Sequence, residues 1–252
     1  MKLKYILLFA IISMLTLTSC EYDNYKAPDC EFKGQLMCDG KPFLADGNRI
    51  LFKFFQTGFG KVDGGMNMHL MNDGSFRQML FPDQDYKLTL INKPLPYELP
   101  DFPSKGPGLG YDTLRYHMNG NVMQNFEVLP YYKISNLSAQ LSEDGKNIVA
   151  TFDVTKMTNT VKEAPNIKSA KIYLGTSIIV DSGNACMRSA AVKNQSATTL
   201  SVSIPLSMYR DKKYYINNFR TYAYYRVAIE LVGVPDYFLF SETQKIEGLP
   251  VK

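Results

Sequence analysis

The sequence predicts an all-β protein: two tandem β-sandwich domains behind an apolar export leader. Three observations carry this. Apolar residues alternate with polar ones in many short runs, which is strand periodicity. Clusters of Asp, Asn, Gly and Pro punctuate those runs as turns. Nowhere in the first half do apolar residues hold a 3.6-residue period over three turns, so no long helix is expected there. Of the 252 residues, the leader takes 1–19 and a tether 20–28. The remainder suits two domains of about 100–150 residues each, expected at 29–129 and 130–252.

The leader comes first. Lys2 and Lys4 precede a nearly unbroken apolar run from Tyr5 to Leu17. A run this short, with charge ahead and small residues behind, is a secretory signal rather than a membrane span. Leu17-Thr18-Ser19-Cys20 resembles the bacterial lipobox. That resemblance implies cleavage before Cys20 and lipid on its sulfur, with an acidic tether, Glu21 to Asn24, leading away. Each buried methylene contributes about 0.8 kcal/mol, so two or three acyl chains hold a folded body at a membrane. No later apolar run is long enough to cross a bilayer, so membrane contact is expected through the anchor only.

In the first domain, Cys30 to Met37 reads as a strand with Phe32, Gly34, Leu36 and Cys38 on one face. Asp39-Gly40-Lys41-Pro42 turns. Arg49 to Gln56 is a buried strand, and Met66, Met68 and Leu70 alternate with Asn67 and His69. Asn72-Asp73-Gly74-Ser75 predicts a hairpin into Phe76–Phe81. Tyr86, Leu88 and Leu90 form the next alternating run. Leu95 to Gly110, with four prolines and three glycines, predicts a long, stiff surface loop. Tyr111–Met118 and Val122–Val128 predict a closing hairpin around Asn119-Gly120.

Leu129-Pro130-Tyr131-Tyr132 marks the junction, and the pattern then restarts. Ile134 to Leu141, Ile148 to Val154, Ala170 to Leu174, Leu200 to Ile204, a long strand within Tyr214–Leu231 and a closing segment Tyr237–Ile246 follow at regular spacing. Such spacing predicts an immunoglobulin- or fibronectin-type sandwich. The absence of a Cys…Trp…Cys core excludes an antibody-type domain.

Composition narrows function. The chain carries a formal +4; subtracting Lys2 and Lys4 leaves +2, too weak for a phosphate-tracking surface, and no nucleic-acid partner is expected. With Cys20 lipidated, Cys30, Cys38 and Cys186 remain. Cys30 and Cys38 end one strand and stand roughly 26 Å apart at about 3.3 Å per residue, beyond disulfide reach. All three are expected to pack as small apolar side chains. Two histidines, His69 and His117, and no Gly-x-Ser-x-Gly elbow argue against a nucleophilic triad. The same scarcity argues against a zinc site, so neither metal nor cofactor is expected. Asp83, Asp85, Asp101, Asp112, Glu143 and Asp144 are carboxylates of the kind a glycosidase pairs, but most sit in turns, where Asp bonds the backbone. Gly58-Phe59-Gly60-Lys61 and Gly64-Gly65 lead to no helix and so make no phosphate loop. The expectation is a protein that is not an enzyme, with no catalytic residue.

Two aromatic sets are candidate binding surfaces. The first is the Pro-rich loop and its exit: Tyr97, Phe102, Tyr111 and Tyr116, with Asp101, Asp112 and Arg115 beside them. Sugar C–H faces lie on aromatic rings while polar rims hold hydroxyls, and prolines hold such rings at low entropic cost. The other reading is that these rings plug the sandwich edge. Absence of Trp counts against a sugar platform. The second set is Tyr214, Tyr215, Phe219, Tyr222, Tyr224 and Tyr225, of which one face must be core. The other face is read as a domain-docking surface that covers Tyr131 and Tyr132. Asp112-Thr113-Leu114 is similar to the three-residue O-glycosylation signal of Bacteroidetes exported proteins, which implies a possible glycan on Thr113.

Two wider resemblances follow from quoted motifs. Gly34 to Pro42, Asp73-Gly74-Ser75-Phe76 and Asp85-Tyr86-Lys87-Leu88-Thr89-Leu90 resemble carboxypeptidase regulatory-like, transthyretin-type domains, with Asp85 where that pattern has Gly. The lipobox, Asp23 to Asp29, Asp73 to Phe76, Leu80-Phe81 and Val128 to Tyr132 together resemble a Bacteroidetes family of two-domain lipoproteins associated with polysaccharide utilisation loci. That resemblance implies a lipid-anchored outer-membrane protein facing the cell exterior. It would bind glycan or assist a starch-utilisation-type importer and its lipoprotein partner. The alternatives are a structural or adhesion scaffold and, third, a glycoside hydrolase accessory.

Overall fold

The computed structural model describes residues 26–47, 49–58, 65–106, 109–210 and 219–251. The leader, Cys20, Phe59 to Gly64, Pro107, Gly108, Tyr214 and Tyr215 lie outside the described residues. The protein is all-β with two domains. The first contains β1 (Cys30–Cys38), β2 (Lys41–Pro42), β3 (Ile50–Gln56), β4 (Met66–His69), β5 (Ser75–Leu80), β6 (Gln84–Leu90), β7 (Tyr97–Glu98), β8 (Thr113–Met118), β9 (Val122–Met123), β10 (Phe126–Glu127) and β11 (Leu129–Pro130). The second contains β12 (Tyr132–Leu141), β13 (Asn147–Lys156), β14 (Ile167–Gly175), β15 (Cys186–Ala191), β16 (Thr199–Pro205), a short helix α1 (Leu206–Tyr209), β17 (Tyr222–Leu231), β18 (Leu239–Phe240) and β19 (Gln244–Glu247).

In the first domain β1 is the hub of one sheet. It runs antiparallel to β5 and β2 and parallel to β9 and β10. The opposing sheet has the order β4-β3-β6-β8. Alternation puts Phe32, Phe76 and Phe126 of the first sheet against Phe52 and Phe54 of the second. Phe52 meets Phe76 at 5.1 Å and Phe126 at 5.2 Å between ring centroids. Gly34 is required where the parallel segment crosses β1, since a Cβ there would sit 1.7 Å from the Gln124 carbonyl oxygen.

Two expected hairpins do not continue as ladders: the first closes with a single antiparallel bridge, Leu70 to Phe76, and both carry the chain between sheets. Asn72–Ser75 turns as expected, with Gly74 at φ +75°, but β4 pairs with β3 and β5 with β1. Asn119-Gly120 likewise carries the chain from β8, paired with β6, to β9, paired with β1. Turn chemistry fixes a reversal; it does not fix the partner. The Pro-rich loop is also corrected. It is not a surface loop, because Leu95, Tyr97, Leu99 and Phe102 are buried. Phe102 enters the core 5.6 Å from Phe52 and 5.2 Å from Phe126, and β7 pairs with β11.

The second domain packs β12-β13-β16 against a sheet in which β14 lies between β15 and β17, and both β18 and β19 pair with β17. Ile148, Ala150, Phe152 and Val154 of β13 point inward, as do Ala170, Ile172 and Leu174 of β14 and Leu200, Val202 and Ile204 of β16. Strand β17 is buried on both faces from Tyr225 onward. One face is the domain core, and the buried side chains of the two domains form one continuous cluster. The other face positions the site.

Candidate functional site

Side chains alternate along β17, so Tyr222, Tyr224, Arg226, Ala228 and Glu230 share the face turned away from the core. Its middle is sealed. Arg226 is 2% exposed, donates to the Val180 carbonyl oxygen (3.1 Å) and, across the domain boundary, to the Ala45 carbonyl oxygen (3.1 Å). Its guanidinium carbon lies 3.9 Å from the centroid of Phe240. Burial lowers its pKa to about 10, which leaves the group charged at neutral pH. Beside it Asp46 of the first domain accepts from the Ser182 amide (3.0 Å), the Ser182 hydroxyl (2.6 Å) and Arg49 Nε (2.9 Å). Asn72 Nδ2 donates to the Val180 oxygen (3.3 Å), and the Tyr237 hydroxyl to the Ile50 oxygen (2.6 Å).

Domain docking therefore exists, and among the described residues it runs through Arg226, Val180, Ser182 and Tyr237 rather than through Tyr222 and Tyr224. The partners that the structure gives Tyr131 and Tyr132 at the junction lie elsewhere. Tyr131 is buried against the first domain's own Pro-rich segment, where its amide donates to the Pro96 oxygen (3.2 Å). The Tyr132 hydroxyl donates to the Pro165 oxygen (3.0 Å).

Towards the strand's start the same face opens. Tyr222 and Tyr224 are half-buried, with centroids 6.0 Å apart and planes at 85°. Lys245 Nζ sits 4.7 Å from the Tyr222 centroid and the Arg220 guanidinium carbon 5.5 Å from it. Arg220 Nη1 donates to the Tyr222 hydroxyl (3.0 Å) and the Thr176 oxygen (3.1 Å). Lys245 pairs with Glu247, whose carboxylate raises the ammonium pKa while its own falls. Ile178 and Ile179, on the loop that starts at Thr176, are 67% and 55% exposed. The result is a ledge: two rings at right angles with fixed cations and a carboxylate on the rim, tied through Arg220 to the loop that carries Ile178 and Ile179. Rings accept apolar C–H faces, and the charged rim accepts and donates hydrogen bonds.

The sequence-predicted site does not assemble. Tyr97 and Phe102 are core side chains. Tyr97 packs 5.0 Å from Phe43, and burial pushes its hydroxyl pKa up. Neither ring has a face free for a ligand. On β8, Tyr116 is on the inner side, 4.9 Å from Phe32, with burial pushing its pKa up to about 12. Arg115 is on the outer side, so the two cannot line one subsite. Tyr111 is half-buried with its hydroxyl 3.4 Å from the Lys93 oxygen, and Asp112 pairs with Lys105 at 3.4 Å. Thr113 is half-buried on β8, opposite Thr89. Tyr222 and Tyr224 were present in the sequence as aromatics, but only their distance from the first domain's contact loop separates them from Arg226.

Among the described residues no group of three or more His, Cys, Asp and Glu gathers to hold a metal. Cys30, Cys38 and Cys186 are free, and burial pushes the Cys186 thiol up to about 11. His117 Nδ1 lies 2.8 Å from Asp85 on exposed sheet surface. No helix among the described residues is long and apolar enough to cross a membrane.

Comparison with known proteins gives one consistent family. The model for the DUF3823 N-terminal domain, described as a protein of unknown function, matches residues 30–129. The model for DUF3823_C, a domain of unknown function, matches 132–245. A DUF3823 family structure from Parabacteroides merdae is 18% identical over 88% of this chain and 100% of its own, with a TM-score of 0.62. Another, from Bacteroides ovatus, is 23% identical over 87% of this chain and 99% of its own, with a TM-score of 0.59. A Bacteroides uniformis structure described as a "putative carbohydrate binding protein" is 16% identical over 88% of this chain and 100% of its own, with a TM-score of 0.61. No curated protein matches the chain.

Proposed function

The chain belongs to the DUF3823 family, and from that premise we propose that it is a non-catalytic, lipid-anchored outer-membrane protein that holds glycan for an importer. The observation that carries the binding role is the ledge. Tyr222 and Tyr224 stay half-exposed on a face that is otherwise sealed, with Lys245, Glu247 and Arg220 fixed around them. A pyranose lays its C–H face on such a ring and directs its hydroxyls to the rim. The description of the B. uniformis structure, which shares the fold, is in keeping with this reading.

The test is native affinity electrophoresis of the purified two-domain protein in gels cast with neutral polysaccharides. Retardation by at least one of them is expected, and Tyr222→Ala with Tyr224→Ala should abolish it. Retardation unchanged in the double variant would remove the ledge from the proposal. The anchor is tested separately: Cys20→Ala should move the protein from the membrane fraction to the soluble one, and an unchanged distribution would overturn lipidation at Cys20. A second reading, a protein-interaction scaffold, is favoured by Ile178 and Ile179, since exposed aliphatic side chains also suit a protein partner. Co-purification of the importer without glycan retardation would select it.

A further inference from the structure

The outer face of the β4-β3-β6-β8 sheet carries a different arrangement. In register, Lys87 of β6 stands directly opposite Arg115 of β8, and Phe55 of β3 directly opposite Lys87. Lys53 of β3 is opposite Thr89, hence diagonal to Lys87 on the same face. Side chains directly opposite in an antiparallel pair have Cβ atoms about 4.5–5.5 Å apart, and diagonal ones about 7–8 Å. Like charges directly opposite destabilise a sheet. Among the described residues none of the three cations meets a carboxylate. Asp85 on this face is held by His117 at 2.8 Å. Among the described residues no carboxylate offsets the repulsion within this triplet.

We propose that this face is a second docking surface, for a linear acidic polysaccharide whose carboxylates or sulfates fall over Lys53, Lys87 and Arg115. Successive strands are about 4.8 Å apart, so a chain lying across them meets the cations in sequence. The Thr89 and Thr113 hydroxyls, level with Lys53 across the sheet, offer hydrogen bonds between charges. A bilayer surface suits the face less well. Membrane-bound surfaces bury apolar side chains among the lipids, and among the described residues the large exposed hydrophobic side chains all lie elsewhere. The surface is on the other domain from the tyrosine ledge and does not depend on it.

The experiment is retention of the purified protein on immobilised polygalacturonate, with amylose as the neutral control. Three proteins are compared: the unaltered chain, Lys53→Gln/Lys87→Gln/Arg115→Gln, and an equal-charge control, Lys146→Gln/Lys162→Gln/Lys193→Gln, built at exposed lysines of the second domain. The unaltered chain should be retained on polygalacturonate and released by salt, which screens exposed charges. The face variant should lose at least tenfold in apparent affinity, and the control should stay within twofold. Equal losses in the two variants would reduce the effect to overall charge and overturn the proposal, as would no retention of the unaltered chain. Capture by phosphatidylglycerol vesicles, lost in the face variant, without polygalacturonate retention would assign the face to a membrane and also overturn it. Tyr222→Ala/Tyr224→Ala should keep polygalacturonate retention, so the two sites fail independently.

Discussion

One strand face meets two fates. At Arg226 and at Tyr222, β17 sets a cation against an aromatic ring: the guanidinium over Phe240 at 3.9 Å, the Lys245 ammonium over Tyr222 at 4.7 Å. At the first position the loop containing Ala45 and Asp46 closes over the pair and takes a guanidinium hydrogen bond. At the second nothing described from the first domain arrives, and the rings stay half-exposed. A cation–ring pair is worth roughly 0.5–1 kcal/mol when wet and about 2 or more when desolvated. The same chemistry therefore serves structure where it is covered and recognition where it is not, and access is the variable that decides.

The largest expected effect is at the covered end. Arg226→Ala orphans the Ala45 carbonyl oxygen, leaves the Val180 oxygen with Asn72 as its remaining donor, and opens a void over Phe240. Together these cost about 3–5 kcal/mol, and the thermal midpoint should fall by roughly 10 °C at about 2–4 °C per kcal/mol. Arg226→Met keeps the stem over the ring without the donors and should recover part of the loss. Full recovery by Met would mean that Arg226 acts through packing alone, and the comparison between the two ends would weaken to one of burial. Calorimetry on the three proteins decides.

This comparison also shows what was legible beforehand. The fold class follows from alternation, and Ile148, Ala150, Phe152 and Val154 face the core as their spacing requires. Pairing partners were not legible. Asn72–Ser75 and Asn119-Gly120 are good turns, but a turn signal is local, and the choice between neighbouring sheet and opposing sheet is made by packing of Phe76 and Phe126 on Phe52. The Pro-rich segment was expected at the surface, and of the two readings of its rings the structure gives the plug, for a physical reason. Prolines restrict it to one two-residue ladder, β7 with β11, yet Leu95, Tyr97, Leu99 and Phe102 supply enough apolar surface to plug the sandwich. The docking contact depends on Arg226, one of two charged residues in a strand of otherwise apolar and aromatic ones, and the cover for that charge is two backbone carbonyl groups from distant loops, which no side-chain pattern announces.

A smaller effect is expected at the far end of the same face. Burial of Glu230 opposes its ionisation, but Lys168 at 2.7 Å, Lys171 at 2.9 Å and the Ser169 hydroxyl at 3.1 Å outweigh it and bring the pKa down to about 2 from 4.5. The folded pKa lies below the unfolded one. The carboxylate therefore stabilises the fold above pH 4.5, and that contribution fades as pH falls towards 2. Glu230→Gln should cost about 1–3 kcal/mol at pH 7, since it strips a buried Lys171 of its charged partner. It should also flatten the slope of stability against pH between 4.5 and 2. Denaturant midpoints of both proteins across that range would show whether the acid sensitivity of this face resides in Glu230 or in exposed carboxylates such as Asp144 and Asp153.

The smallest effect on stability, and the sharpest division between the two ends, is expected at the ledge. Tyr222→Ala with Tyr224→Ala removes half-exposed rings that carry no interdomain bond. Substitutions of that kind shift stability by about 0.5 kcal/mol each, and Tyr224, packed on the small cluster of Tyr173, Val180 and Phe240, adds slightly more. A loss near 1 kcal/mol with glycan retardation abolished would set the ledge apart from the sealed middle of β17. A loss near that of Arg226→Ala would mean that the rings are structural and that the open end of the face differs from the closed end only in how much water reaches it.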